Sequence, residues 1–225
     1  MKYFESFPKL IYSLDDNNLN RQAVTDIFAR SNFLREIANN VDIAYDYIVK
    51  DSDTPEIIAH KIYGDPYRSW IILLFNQIVN PYYDWPMKNE VLDSYITNKY
   101  GTTTDVARNT IHHYEKEVEQ VKTYSGVVLE SNTQTFIIST YDYNQNTGAL
   151  IENSLPESPS DAPVVVSTET FNYNSYILTI TTTNKAISNY DYEFNENEKR
   201  RKIRLLEDFY VRRVEQEFKE IMKNG

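Results

Sequence analysis

Reactive side chains are few in this chain and badly spaced for catalysis. Of its three histidines, His112 and His113 are adjacent, so on a strand they project to opposite faces and lack the spacing with which two imidazoles chelate one metal. His60 falls inside a helical pattern with no second ligand near it. Glu115 and Glu117 would share a strand face, as acid–base work on a glycoside requires of two carboxylates, but any acidic β-segment offers such a pair. No GxSxG, phosphate loop, HExxH or EF-hand spacing occurs. With no cysteine, disulfides, thiolate zinc sites and thiol nucleophiles are excluded. The chain reads as a non-enzyme, with no catalytic residue, cofactor or metal.

What the chain has in excess is contact chemistry. It carries 19 Tyr against 5 Gly, and Tyr gives a large contact area with a polar tip. Tyr82, Tyr83 and Trp85 cluster before Pro86, and Phe209, Tyr210, Phe218 and Met222 lie along a terminal helical pattern. These seven are the candidate protein-interface residues, set against the plainer reading that most tyrosines line strands and core edges. A formal charge of -10 argues against nucleic acid, which needs a basic surface. The basic run Lys199, Arg200, Arg201, Lys202 and Arg204 is bracketed by Glu196, Glu198, Glu207 and Asp208 and reads as an ion-paired face. No apolar stretch reaches the roughly 18 residues that span a bilayer, and the N-terminus lacks a leader pattern. The expectation is a soluble protein made in the host cytoplasm, with no membrane contact.

The segment from Tyr47 to Trp85 must position the first aromatic cluster. Tyr47, Ile48 and Val49 predict a short strand, interrupted by Asp51-Ser52-Asp53. Thr54 as N-cap, Pro55 at the first position and Glu56 beside the dipole open a helix with Ile58, Ala59 and Ile62 on its apolar face, ended by Gly64. Asp65-Pro66 repeats the signal, and Trp70, Ile71, Leu74 and Phe75 recur at helical spacing up to Asn76. Asn80-Pro81 then forces extended or turn geometry, so Tyr82 to Trp85 suits a closing strand or a docking surface.

This order of strand, helix, helix and strand resembles the lysin motif (LysM). Its wording, Ile62-Tyr63-Gly64-Asp65-Pro66, Trp70 and Pro81-Tyr82-Tyr83-Asp84-Trp85, is closer to the LysM-like core of the baseplate wedge protein 53 family of contractile-tailed, T4-like phages. Thr25-Asp26-Ile27-Phe28 resembles the approach to that core. Asn197-Glu198-Lys199-Arg200, then Ile203, Leu205 and Leu206 and a helix ending in Ile221-Met222, resembles the family's tail. The resemblance covers about residues 24–100 and 190–223, not the segment between. It implies a module core of Tyr47, Ile58, Ile62, Tyr63, Trp70, Ile71 and Leu74.

The remaining chain is read from its own pattern. Residues 1–45 form an N-terminal arm, with a turn at Asp15-Asp16-Asn17-Asn18 and a short helix from Thr25 to about Asn40; 46–101 is the LysM-like core with a following helix over Lys88–Lys99. Residues 102–189 form an acidic, β-rich insertion of two hairpins around a mobile loop at 144–163. Between Lys122 and Lys185 it contains no Lys or Arg. Residues 190–225 alternate first at Tyr190, Tyr192 and Phe194, then at Arg201, Ile203 and Leu205, which predicts a hairpin before a docking helix from about Asp208. The fold class is α+β: a small βααβ core, flanking helices, an inserted antiparallel β subdomain and a C-terminal hairpin plus helix.

Two functions compete. The resemblance implies a structural subunit that joins wedge components and bridges neighbouring wedges in a sixfold ring at the virion tail baseplate, near hub or sheath-initiating proteins. The alternative is a carbohydrate module for peptidoglycan or chitin-like N-acetylglucosamine polymers, whose groove the LysM resemblance puts at Asp53-Thr54 and Gln77 to Pro81. The bulky Pro-Tyr-Tyr-Asp-Trp segment, a single module copy and no export signal place that reading behind.

Overall fold

The computed structural model describes residues 3–13, 21–26, 43–144 and 146–224, with side chains as far as Met222. The Asp15–Asn18 turn, Ile27 and Phe28 of the upstream motif and the expected helix beyond Asp26 lie outside the described residues. Two compact units are present, residues 1–88 with 197–225 and residues 89–196. No helix among the described residues is long and apolar enough to cross a membrane.

The first unit begins with a 3-10 turn, Tyr3–Ser6, and antiparallel strands β1 (Lys9–Ser13) and β2 (Arg21–Thr25), in register from Lys9 opposite Thr25 to Ser13 opposite Arg21. After β3 (Ala44–Ile48) comes α1 (Pro55–Tyr63), where Thr54 Oγ1 accepts from the Ile57 N–H and Gly64, at φ 68°, ends the helix in the left-handed region. Only glycine adopts that geometry without cost from a side chain. Asp65 caps a 3-10 turn, Pro66–Arg68, that leads into α2 (Ser69–Phe75).

The second unit opens with α4 (Asn89–Tyr100) and α5 (Thr104–Asn109), preceded in the chain by α3 (Pro81–Asp84), a single turn of the first unit. Its sheet has the order β5-β4-β9-β8, from β4 (Ile111–Tyr124), β5 (Val127–Ile138), β8 (Val164–Asn172) and β9 (Ile177–Ser188), antiparallel throughout. These are the two expected hairpins, joined through β4 and β9. The loop between them is not structureless. It carries β6 (Tyr141–Tyr143) paired with β7 (Leu150–Glu152), turned by Asn144, whose side chain accepts from the N–H groups of Asn146 and Thr147. An asparagine turn thus opens a small hairpin into the segment expected as a mobile loop.

The expected hairpin at 190–206 is corrected. Asn189–Arg201 is a helix, α6. Ser188 Oγ accepts from the Asp191 N–H at 2.9 Å and donates to the Asp191 carboxylate at 2.7 Å, a reciprocal N-terminal cap. Tyr190 and Phe194, which alternate as a strand would, are also four apart, and their rings stack on one helix face.

The chain then returns to the first unit as β10 (Lys202–Leu206), which pairs antiparallel with β3 from Lys202 opposite Ile48 to Leu206 opposite Ala44. The strand that closes the first unit therefore comes from the tail, and not from Tyr82–Trp85. α7 (Asp208–Asn224) follows. Ile58, Tyr63, Trp70 and Ile71 are buried with Ile203, Leu205, Val211, Val214, Phe218 and Met222, and Tyr47, Ile62 and Leu74 pack against them. Each fully buried aliphatic or aromatic side chain here contributes about 1.5–3 kcal/mol.

Candidate protein-docking interface

The aromatic turn after Asn80 is built by its own polar residues. Asn80 Oδ1 accepts from the Tyr82 N–H at 3.2 Å, and Asp84 Oδ2 accepts from the Asn80 N–H at 2.9 Å. Pro81 sits at the first helical position, where a missing N–H costs nothing. The two side chains close the turn from both ends, so its aromatic residues are carried on a fixed backbone. Tyr82 is 87% exposed and Tyr83 58%. The preceding Val79 is exposed too, an apolar contribution that sequence reasoning passed over.

Trp85 goes the other way. It is buried, and its indole N–H donates to the Asp53 carbonyl at 3.2 Å. Asp53 is itself buried, and its carboxylate accepts from Tyr47 Oη at 2.8 Å, the Lys50 N–H at 3.2 Å and Lys61 Nζ at 2.7 Å. Burial works against this charge, but the bonds from Lys61, Tyr47 and Lys50 outweigh it and hold the carboxyl below its ordinary range. Burial, then the bond to Asp53, pushes the Tyr47 phenol up to about 12. On the Asp53 side of the expected sugar groove, the backbone carbonyl is thus taken by Trp85 and the carboxylate by an internal ion pair. This geometry gives the carbohydrate reading no support.

The terminal cluster also divides. Phe209 is 84% exposed and meets Tyr210 edge-to-face at 5.3 Å, while Tyr210 is half-buried against the core. Phe218 and Met222 are enclosed by their own unit, Phe218 lying 4.7 Å from the Trp70 ring and 5.2 Å from Tyr3 between ring centres. The docking expected of these two is internal: they seat α7 on α2 and the N-terminal turn, because the apolar stripe of this helix meets an apolar face within its own chain. Arg68 reinforces the seat, Nε donating to Glu215 Oε1 at 3.0 Å. Trp70 takes a core position, and Tyr63 donates from Oη to the Leu206 carbonyl at 2.9 Å.

Two asparagines, Asn76 at the end of a helix and Asn197 in the tail motif, clamp backbone. Asn76 donates to the Arg204 carbonyl and accepts from the Arg204 N–H, both at 2.8 Å, so it satisfies the free edge of β10. Asn197 does the same for Met87, at 3.0 and 2.7 Å. An Asn with both ends matched replaces a strand partner at one residue. Within the basic run, Arg201 meets Asp51 and Glu198, and Lys202 lies 3.5 Å from Asp46.

In the second unit the two carboxylates that would share a strand face meet a lysine. Lys185 Nζ lies between Glu115 at 3.3 Å and Glu117 at 2.9 Å and pairs with both. His112 and His113 do not face apart as expected. Their Nδ1 atoms are 2.8 Å from each other, because the β4–β9 register slips between Ile111 and His113 and breaks the alternation of side chains. His112 stacks on Tyr192 at 3.9 Å, and burial, then His113, lowers its pKa. His60 stands exposed on α1. Among the described residues no three His, Cys, Asp or Glu side chains gather as a metal site would require.

The family model described as Base plate wedge protein 53 matches residues 3–219. Baseplate wedge protein gp53 of Enterobacteria phage T4 is 32% identical over 101 residues, which cover 43% of this chain and 50% of that protein. The match thus spans half the length of this relative.

Proposed function

The chain belongs to the base plate wedge protein 53 family, and from that premise we propose that it is a structural subunit of a contractile-tail baseplate wedge, located in the virion at the tail baseplate. Its work is assembly: it joins wedge components and bridges neighbouring wedges around the tail, in several copies, with hub or sheath-initiating proteins among its neighbours. The family match over nearly the whole chain carries this reading. The exposed Tyr82 and Tyr83 on a rigid turn and the exposed Phe209 supply the aromatic anchors that protein interfaces favour.

Co-expression with the other wedge proteins of its phage, followed by size-exclusion chromatography, tests it. Co-elution is expected, with loss of at least about 2 kcal/mol of binding if Tyr82 or Phe209 anchors the contact and is replaced by Ala. Elution of the chain alone beside every wedge protein, together with its retention on insoluble peptidoglycan, would overturn the proposal.

A further inference from the structure

We propose that the outer edge of β5 docks an extended, cationic segment of another polypeptide, which joins the sheet of the second unit as a fifth strand. The order β5-β4-β9-β8 leaves β5 bonded on one side, so its outward N–H and C=O groups form a template for another strand. Edges of this length are normally guarded by Lys, Pro or a bulge. From Val127 to Ile138 there is no Lys, Arg or Pro and one charge, Glu130. The pairing with β4 slips once near the start of β5, where Leu129 is left over between Val128 and Glu130, and then runs unbroken over the nine residues from Glu130 to Ile138. The opposite edge, β8, has a similar slip between Val165 and Ser167 and a shorter unbroken run after it, Ser167 to Asn172. Ile137 on β5, 76% exposed, lies on one face with Ser131, Thr133 and Thr135, a pattern that side chains of an added strand could cover.

Charge selects the occupant. From Thr123 to Asn184 the strands and turns of this unit carry Glu130, Asp142, Glu152, Glu157, Asp161 and Glu169, all exposed, and no Lys or Arg. Lys122 answers Glu130 and Lys116 lies near Asp142, but Glu152, Glu157 and Glu169 have no cation beside them among the described residues. A one-sign field of this kind draws a basic segment and opposes a second copy, whose β5 would bring an equally anionic sheet alongside. The inference goes beyond the wedge reading and stands or falls separately from it.

The test uses the full chain and a fluorescent peptide of about nine alternating Lys and Val residues, the length of an ordinary strand. Anisotropy should show it binding at least about tenfold tighter than the same peptide with Glu for Lys, and than one N-methylated at alternate residues, with affinity falling as salt rises. Thr135→Lys combined with Ile137→Lys, at positions exposed enough to leave the circular dichroism spectrum unchanged, should remove most binding, whereas Val166→Lys on β8 should not. Equal binding of the N-methylated or the Glu peptide, or indifference to the β5 substitutions, would overturn the proposal. So would light scattering that shows a dimer of this chain abolished by them.

Discussion

Asp53 is a buried charge with a donor on three sides, and its energetics follow from that geometry. Its folded pKa lies below the ordinary carboxylate value, so its contribution to stability is fully present above the unfolded pKa of about 3.9 and is lost as pH falls toward the folded value. For Tyr47, raised to about 12, the sign is opposite: the contribution holds below an unfolded pKa of about 10 and is lost as pH rises toward the folded one. Asp53→Asn should therefore cost about 1–3 kcal/mol at neutral pH, with the gap to the parent protein narrowing below about pH 4; urea titrations across that range measure it, and a gap constant with pH would refute the assignment. The neighbouring aromatic pair separates packing from docking. Trp85→Ala should cost about 3–5 kcal/mol, whereas Tyr82→Ala, at 87% exposure, should change stability by less than about 0.5 kcal/mol while weakening wedge assembly. In sequence the two residues read as one patch, because composition shows aromatic clustering and not which ring meets Asp53.

Local signals specified local elements well. Thr54-Pro55 and Asp65-Pro66 opened a helix and a 3-10 turn, and Gly64 closed α1 at positive φ. Where a choice depended on a distant partner, pattern alone failed. The alternation in 190–194 fits a strand as well as a helix face, and the capping pair Ser188 with Asp191 decided for the helix; Ser188→Ala should cost about 1 kcal/mol, visible as a lower thermal midpoint. Likewise β10 alternates like half of a local hairpin, but its partner is β3, some 150 residues earlier. Asn76 is the device that makes this two-strand sheet tolerable, since it occupies the edge of β10 at Arg204 on both N–H and carbonyl. Asn76→Ala leaves those groups without their partner and should cost about 1–3 kcal/mol; chemical denaturation would show this, and an unchanged midpoint would mean water replaces the side chain.

The first unit is assembled from chain segments on either side of residues 89–196, which sequence expressed only as matching flanks around an unmatched middle. Pattern cannot report such closure because the two halves share no period; what joins them is the β3–β10 ladder and the burial of Phe218 against Trp70 and Tyr3. Closing a chain over that distance carries an entropic cost that grows slowly with length, so the return segment must bring substantial burial. It does: Ile203, Leu205, Leu206, Val211, Val214, Phe218 and Met222 all lie in the core. Both tryptophans, Trp70 and Trp85, belong to this unit and are buried, which makes their emission its specific reporter. Removing residues 202–225 takes away the partner of β3 and the aromatic lid of Trp70, and the prediction is a red-shifted, solvent-like tryptophan emission. Emission that stayed blue-shifted would mean residues 1–88 form a core unaided, and the tail would then be free to act as a docking helix after all.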